Sequence, residues 1–501
     1  MQPTYEWKGD FINNKFIKND RPDGDFQNVS PADLKEQVFH FEYSYQHVDQ
    51  ACEAARKAYK KWAHTSYEDR KALVLKLKEQ FQKNSERIAE IIARETGKPF
   101  WESMTEAKAI VGKIDTTINA SMKLVETSVV ENALPQVNGV IRYKPRGVMA
   151  VVGPFNFPAH LPNGHMVPAL LTGNTIVYKP SEKTPAVGQI YAEMIEAAGF
   201  PEGVFNLVQG DGQTGKRLVE HEWVDGVLFT GSYDVGLKIK EATLTHYWKL
   251  LALEMGGKNS TIVWDDADID KALYESLLGC FLTAGQRCSC TSKIILHKSI
   301  KDQFVERFYN AAKKIKIGYW KDNPFMGPLI SEDSVEKYIR FQEIAKREGA
   351  ENLMRGKALE TEKPGHYVTP SINMVKEFDP KSFYQNNEIF GPNVAIFTVD
   401  EYEQAMEITN SAGFGLVAAI FTKDQSLFEK ALIDARVGLL NWNRTTNGAS
   451  SKLPFGGMGK SGNDRPSAHF AVNYCTVPVA SLEDKTPFNK EQQLPALDFE
   501  I

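Results

Sequence analysis

Three side chains with complementary chemistry stand in separate, distinctive segments of the chain. Cys288 ends a run of apolar and glycine residues, and Arg287 beside it would stabilise a thiolate. Glu254 lies among apolar neighbours, where loss of solvation would raise its pKa towards that of a general base. Asn156 supplies a neutral amide donor between two prolines. A thiol nucleophile, an amide donor and a carboxylate base are the parts needed for acyl chemistry on a carbonyl.

Two further segments have features that suit a dinucleotide. Lys179 and Glu182 follow a short β-branched strand, where they could bind ribose hydroxyls; a solvated loop pair is the alternative. Gly231 and Ser232, with Gly236 four residues on, open a helix after its own strand, so free N–H groups and the helix dipole suit a diphosphate. If Glu182 holds the ribose, a 2′-phosphate would meet a like charge, which favours NAD over NADP.

Residues 210–215 spell the G-x-G-x-x-G pattern directly after a strand. Such a loop lets backbone amides approach a pyrophosphate. The acidic residue that usually completes the pattern is missing, because residues 227–230 run straight into Gly231. An ordinary glycine-rich turn is therefore the favoured interpretation, and a phosphate cradle is the alternative.

These residues need a scaffold, and the hydrophobic periodicity predicts an α/β fold with two doubly wound parallel sheets. Residues 47–125 are typical of helices, and residues 126–143 of a projecting β-arm. Short apolar strands then alternate with amphipathic helices over residues 148–230, and again over residues 261–437. Two α/β domains and a small β module are the expected organisation.

Composition excludes several classes of protein. The chain has 501 residues, a net charge of −5 and 25% charged residues, which argues against a nucleic-acid partner or a disordered chain. Residues 147–178 carry no acidic or basic residue, but prolines and glycines interrupt them, which fits buried turns better than a membrane span. Five cysteines cannot all pair within one chain, which favours a reducing, cytoplasmic compartment.

Six motifs resemble the NAD(P)-dependent aldehyde dehydrogenase superfamily, in order and at family-like spacing from about residue 10 to 480: residues 154–158, 179–182, 253–257, 281–288, 388–392 and 454–457. The resemblance implies a Rossmann-like NAD domain, a catalytic domain and a β-arm that assembles a homodimer or homotetramer. The expected boundaries are 1–125 and 148–256 for the NAD domain, 257–468 for the catalytic domain, 126–147 and 469–485 for the arm, and 486–501 for a tail.

The resemblance also implies roles for individual residues. Cys288 would attack the aldehyde carbon, and the Asn156 amide and the Cys288 N–H would hold the oxyanion. Glu254 would activate the water that hydrolyses the thioester. The implied NAD-binding residues are the adenosine-ribose pair Lys179 and Glu182, the diphosphate residues Gly231, Ser232 and Gly236, and the nicotinamide-side pair Glu388 and Phe390. No metal site is expected.

Within the superfamily, residues 156–165, 282–290 and 441–467 resemble most a branch that oxidises an acidic substrate, N-succinylglutamate 5-semialdehyde. Its two carboxylates call for cations, and Arg287 and Arg444 are the candidates. His160 is expected to line the entrance and Phe455 to form part of an apolar collar. Three alternatives remain open, namely another semialdehyde, a CoA-acylating dehydrogenase, and a catalytically idle homologue.

Overall fold

A computed structural model describes residues 3–463 and 465–487 together with Leu497. Most of the expected tail, residues 486–501, lies outside the described residues. The described strands are β1 Asp10–Ile12, β2 Lys15–Ile17, β3 Gly24–Ser30, β4 Asp33–Tyr43, β5 Ser128–Leu134, β6 Val137–Pro145, β7 Val148–Val152, β8 Thr175–Lys179, β9 Phe205–Leu207, β10 Gly226–Thr230, β11 Leu250–Glu254, β12 Asn259–Val263, β13 Thr291–His297, β14 Glu351–Met354, β15 Ser371–Met374, β16 Asn393–Val399, β17 Phe414–Gly415, β18 Val417–Phe421, β19 Leu439–Trp442, β20 Pro454–Phe455, β21 Met458–Gly459, β22 Ser467–Ala468 and β23 Thr476–Glu483.

The α-helices are α1 Tyr45–Trp62, α2 Tyr67–Lys83, α3 Ser85–Thr96, α4 Phe100–Asn119, α5 His160–Leu171, α6 Pro185–Ala198, α7 Gly212–Glu220, α8 Tyr233–Ala242, α9 Ile269–Phe281, α10 Lys301–Ala312, α11 Glu332–Arg347, α12 Phe383–Asn386, α13 Tyr402–Asn410, α14 Gln425–Asp434 and α15 Ala471–Tyr474. Short 3₁₀ segments occupy Ser121–Val125, Leu282–Gly285 and Lys298–Ile300.

The first large sheet has seven strands in the order β11-β10-β7-β8-β9-β1-β2. Its five strands from β11 to β9 are parallel. Strands β7, β8 and β10 are almost wholly buried because helices cover both faces, which explains their unbroken apolar sequences.

The second large sheet also has seven strands, in the order β14-β15-β16-β13-β12-β18-β19. All its neighbours are parallel except the edge pair β14 and β15. Each sheet has its own buried apolar core. The predicted α/β fold with two largely parallel sheets is confirmed.

A third sheet, in the order β23-β6-β5, lies apart from the two cores. Every residue of β5 is exposed, and Val129, Val130 and Leu134 are among its apolar side chains. Strand β23, from the C-terminal part of the chain, pairs with β6 from Thr476 opposite Pro145 to Glu483 opposite Asn138. The expected β-arm therefore takes strands from two distant parts of the chain.

The N-terminal region contains two hairpins that the sequence interpretation did not foresee. The pair β1 and β2 turns through Asn13 and Asn14, whose φ angles are 52° and 60°. An Asn-Asn pair between apolar residues is a hairpin signal, because asparagine tolerates the left-handed region. Through the pairing of Phe11 with Leu207, this hairpin extends the first sheet.

Candidate active site

The loops that carry the candidate residues meet where the two large sheets face each other. Lys179 and Glu254 are the last residues of β8 and β11, and Ser232 follows β10 by two residues. Parallel strands bring their carboxyl ends to one edge, which is where α/β sheets bind ligands. From the second sheet, Cys288 and Glu388 precede β13 and β16 at the amino ends of those strands. Together these loops line a cleft of about 920 Å³.

A strained turn presents Cys288 to this cleft. Thr283, Ala284 and Gly285 have φ angles of 56°, 52° and 70°, a left-handed conformation that costs free energy at the two non-glycine positions. A Cβ on Gly285 would lie 2.2 Å from the Gly391 carbonyl oxygen, so only glycine fits there. The turn is held in place by the Gln286 side chain, which donates to the Thr283 and Pro328 carbonyls and accepts from the Ile330 N–H.

Asn259 fixes the backbone on the other side of the nucleophile. Its Nδ2 donates to the Cys288 carbonyl at 2.7 Å and to the Cys290 carbonyl at 2.9 Å, and its Oδ1 accepts from the Val417 N–H. The Asn259 side chain is buried. Sequence reasoning did not assign it a site role, since a buried asparagine at the start of a strand has no distinctive pattern.

The amide of Asn156 has a defined orientation. Its Oδ1 accepts from the Phe157 N–H at 3.0 Å and its Nδ2 donates to the Gln286 carbonyl at 3.0 Å, so the two ends of the amide are distinguished by their partners. The second Nδ2 hydrogen has no acceptor within the described part of the chain, and neither has the Cys288 N–H. Two donors are therefore free near the nucleophile.

Glu254 is the most unusual carboxyl group in the cleft. It is 1% exposed, and neither carboxylate oxygen has a hydrogen-bond partner in the described structure. The Cys288 thiol and the Thr230 hydroxyl approach it without completing a hydrogen bond. Burial raises the pKa of Glu254 to about 8, and the negative charge of Glu388 adds to the effect.

The thiol of Cys288 is not activated by Arg287, contrary to expectation. Burial, followed by the negative charge of Glu254, raises the pKa of Cys288 well above its usual range. Arg287 instead donates to Glu102 at 2.6 Å and to the Thr283 hydroxyl at 2.7 Å, so its charge is already compensated. The raised pKa favours the neutral thiol, so a base such as Glu254 is needed to ionise it.

At one end of the cleft lie the residues expected to hold the adenosine ribose and the diphosphate. Lys179 Nζ lies 3.8 Å from Glu182 Oε2 and 2.9 Å from the Pro180 carbonyl oxygen, and burial lowers the lysine pKa. Ser232 is the N-cap of α8 and accepts from the Val235 N–H at 3.3 Å. The first turn of α8 contains Asp234, but the N-cap position itself is neutral and so carries no charge that would repel an anion at the positive end of the helix dipole.

The G-x-G-x-x-G loop lines the same cleft through Asp211, Gly212, Gln213 and Gly215. It differs from the α8 start because the N-cap of α7 is Asp211, whose carboxylate accepts from the Thr214 N–H at 2.8 Å. The helix start already holds a negative charge, so a pyrophosphate would be repelled there. This agrees with the glycine-rich turn favoured from the sequence.

At the other end of the cleft, Glu388 reaches across between the sheets. Its Oε1 accepts from the Gly257 N–H at 2.9 Å, and burial raises its pKa to about 7. A Cβ on Gly256 would lie 2.1 Å from Glu388 Oε2, so glycine is required for this approach. Phe390, with a φ angle of 59°, stacks edge-on against Phe155 at 5.8 Å. Lys337 of α11, which sequence reasoning missed, also lines this end.

Not every expected binding residue lines the cleft. Gly236 lies on α8, where a Cβ would be 2.3 Å from Met255 Sδ, so its role is close packing of helix against strand rather than cofactor contact. Arg444 is exposed and has no partner among the described residues. His160 begins α5, and its buried Nδ1 has no hydrogen-bond partner. Phe455 is buried in a small apolar cluster that also touches Cys288.

Among the described residues, no group of three or more histidine, cysteine or acidic side chains is placed to hold a metal ion. None of the described helices is both long enough and apolar enough to cross a membrane.

Comparisons with known proteins agree with this architecture. Residues 16–479 match the aldehyde dehydrogenase family. The chain is 39% identical over 496 residues to the N-succinylglutamate 5-semialdehyde dehydrogenase of Legionella pneumophila, covering 98% of each chain. It is 40% identical over 455 residues to the protein of that name from Acinetobacter baylyi, covering 90% of this chain and 92% of the relative.

Solved structures of other dehydrogenases share the fold of this chain at lower sequence identity. The 1-pyrroline-5-carboxylate dehydrogenase from Thermus with bound NAD superimposes with a TM-score of 0.89 at 29% identity, covering 95% of this chain and 93% of the other. The betaine aldehyde dehydrogenase from Staphylococcus aureus in complex with NAD gives a TM-score of 0.90 at 27% identity, covering 97% of this chain and 96% of the other.

Proposed function

Because this chain belongs to the aldehyde dehydrogenase family, we propose that it oxidises N-succinylglutamate 5-semialdehyde to N-succinylglutamate with NAD, through an acyl group on Cys288. The observation that carries the chemistry is a single cleft lined both by Cys288, Asn156 and Glu254 and by Lys179, Glu182 and Ser232. The substrate is inferred from the relatives of that name, which share about 40% identity over most of the chain.

The cleft fits a dinucleotide in its donor set. The N-terminus of α8, capped by a neutral serine, suits the diphosphate, and the Lys179 and Glu182 pair suits ribose hydroxyls. Glu388, held by the Gly257 N–H, would bind the nicotinamide ribose, with Phe390 beside it. When bound there, NAD supplies the hydride acceptor. Glu182 would repel a 2′-phosphate, which favours NAD over NADP.

The first half of the reaction needs a base, a nucleophile and two donors. Glu254 takes the proton from the Cys288 thiol, and Sγ forms a bond to the aldehyde carbon. The negative charge that develops on the aldehyde oxygen is received by the free Nδ2 hydrogen of Asn156 and the Cys288 N–H, both fixed in advance by the contacts described above. Loss of the hydride from this carbon then leaves a thioester on Cys288.

The second half returns the enzyme to its starting state. Glu254 first releases to solvent the proton that it took from the thiol, which is the proton that the overall oxidation yields. Its carboxylate, free of any hydrogen bond, then takes a proton from water as the water oxygen bonds to the thioester carbon. The carbon–sulfur bond breaks, the carboxylic acid leaves, and Cys288 recovers its proton. A carboxyl with a pKa of about 8 can serve as acid and as base near neutral pH.

A Glu254→Gln variant tests this division of labour. Because Glu254 is the base in both halves of the reaction, we expect the first equivalent of NADH per site to form slowly and the steady state to be slowed by 100-fold or more, with the acyl group that does form persisting as an intact-mass increase on Cys288. Cys288→Ala is the control and should give neither NADH nor adduct while still binding NAD. A normal steady state without adduct would remove Glu254 from the role of base. In the wild type, NADH production that depends on added CoA would instead favour a CoA-acylating enzyme.

We also infer an assembly and a location. The β-arm formed by β5, β6 and β23 exposes Val129, Val130 and Leu134, and exposed apolar residues on a sheet favour association with a second copy. A homodimer or homotetramer is proposed, and light scattering with a Val130→Lys variant tests it. All five cysteines are free thiols, which supports a reducing, cytoplasmic compartment.

A further inference from the structure

Lys113, on the inward face of α4, is a buried cation without a compensating charge. Its side chain is 3% exposed, and its ammonium has no hydrogen bond or ion pair with any described residue. Two neighbouring cations are paired, Lys98 with Glu106 and Arg287 with Glu102. Burying an unpaired charge is expensive, so proteins retain one chiefly where a ligand compensates it.

Two other polar groups with free hydrogen-bonding capacity lie beside Lys113. A Cβ placed on Gly164 would be 3.3 Å from Ser467 Oγ and 3.9 Å from Lys113 Nζ, so the hydroxyl and the ammonium approach the same point of α5. Within the described part of the chain, Ser467 forms a hydrogen bond through its backbone N–H, to the Arg465 carbonyl, and none through its hydroxyl. His160 lies four residues before Gly164, hence on the same face of α5.

The His160 ring completes this group of donors. Its Nδ1 is buried without a partner, and after burial itself the positive charge of Lys113 is the main influence that lowers its pKa. The second histidine of this helix, His165, differs because both of its ring nitrogens are hydrogen-bonded, to the Tyr474 hydroxyl and the Thr230 hydroxyl. His165 is therefore satisfied, whereas His160, Lys113 and Ser467 keep free hydrogen-bonding capacity.

A short chain of contacts connects this group to the nucleophile. Ser467 is in β22, and it pairs with Phe455 in β20. Phe455 in turn belongs to the apolar cluster that touches Cys288. An aliphatic aldehyde chain that passes Phe455 from Cys288 would carry its far end towards Ser467 and Lys113.

We propose that Lys113, together with the Ser467 hydroxyl and the His160 ring, binds a carboxylate of the substrate and so selects an acidic semialdehyde. This rests on the proposed function and deepens it. Three donors of which one is charged match the acceptor capacity of a carboxylate. Burial lowers the pKa of Lys113 to about 7, and a bound carboxylate would hold the lysine in its charged form.

The test compares two aldehydes and two lysines. Lys113→Met removes the buried charge, and Lys108→Met removes an exposed charge from the same helix as the matched control. The substrates are N-succinylglutamate 5-semialdehyde and pentanal, which lacks a carboxylate. We expect Lys113→Met to raise KM for the semialdehyde by about 10- to 100-fold more than KM for pentanal, with little change in kcat. Lys113→Arg should recover part of the loss, and Lys108→Met should match the wild type.

The outcomes separate the two proposals. If wild-type kcat/KM for the semialdehyde does not exceed that for pentanal, the proposed function is wrong and this site with it. If the wild type prefers the semialdehyde but Lys113→Met changes both substrates equally, or changes neither, only the carboxylate site is refuted. Should Lys113→Met fail to fold, Ser467→Ala removes one donor without touching the charge, and the same ratio of KM values decides.

Discussion

Replacing Glu254 by glutamine should change the pH dependence of stability as well as catalysis. A carboxyl group whose pKa is raised on folding destabilises the folded state once the pH exceeds the unfolded value of about 4.5. The penalty grows until the pH passes the folded pKa of about 8 and is complete above it. Solvent does not relieve the charge, because Glu254 is 1% exposed.

The magnitude follows from the linkage between ionisation and folding. A pKa raised from 4.5 to about 8 corresponds to an upper limit of about 5 kcal/mol in the free energy of unfolding. Unfolding entropy scales with length, so a chain of 501 residues shifts its melting temperature by about 1 °C per kcal/mol. The melting temperature of Glu254→Gln minus that of the wild type should therefore rise by roughly 3–5 °C when the pH is raised from 5 to 8.5.

Differential scanning fluorimetry at the two pH values measures this, and Glu95→Gln is the matched control. Burial raises the pKa of Glu95 to about 8 too, but its two oxygens accept from the Ala186 and Val187 N–H groups at 2.9 Å. Glu95→Gln replaces one accepting oxygen by an NH₂ group, so this variant should melt at a lower temperature than the wild type at pH 5. Glu254→Gln has no hydrogen bond to lose and should not melt below the wild type at that pH. If the difference in melting temperature between Glu254→Gln and the wild type is the same at pH 5 and pH 8.5, Glu254 does not ionise in a buried position with a raised pKa.

The remaining predictions concern the oxyanion donor and a glycine. Asn156→Ala removes a donor whose position is fixed by two hydrogen bonds, so kcat should fall by about 100- to 1000-fold. NAD affinity, measured by fluorescence quenching, should stay the same. An equal loss of NAD affinity would contradict this role. Gly256→Ala would place a Cβ 2.1 Å from Glu388 Oε2 and must displace that carboxylate, so KM for NAD should rise. Leaving KM for NAD unchanged would argue that Glu388 does not touch the cofactor.

Much of the fold was predictable because its signals are local. Strands β7, β8 and β10 are buried on both faces, so each appears in the sequence as a short unbroken apolar run between amphipathic helices. The positions of Asn156, Lys179 and Glu254 after or at the ends of such strands then place them at one edge of a sheet. Periodicity could not predict which loops of the second sheet face that edge; the resemblance to a family predicted it.

The parts that sequence reasoning missed depend on pairings between distant residues. Arg287 next to a cysteine looks like a cation for the thiolate, and only the fold shows that Glu102, far back in the chain, already compensates it. Conversely, Lys113 stands in a helix with other charged residues and has no local sign of burial. In the sequence, a charged residue that is unpaired in the fold cannot be distinguished from one that forms an ion pair, because the partner lies far away along the chain.

The cross-connections between the sheets suggest why substrate preference can vary while the chemistry does not. Asn156 of the first half donates to the Gln286 carbonyl of the second, and Glu388 accepts from the N–H of Gly257, in the segment between β11 and β12 that joins the two sheets. These contacts fix the nucleophile and its donors without using the residues around Lys113. Helix α4 joins this frame through Glu102 and Glu106, which stand earlier in the helix than Lys113. A change at position 113 therefore alters what the far end of an aldehyde meets, and leaves the geometry at Cys288 in place.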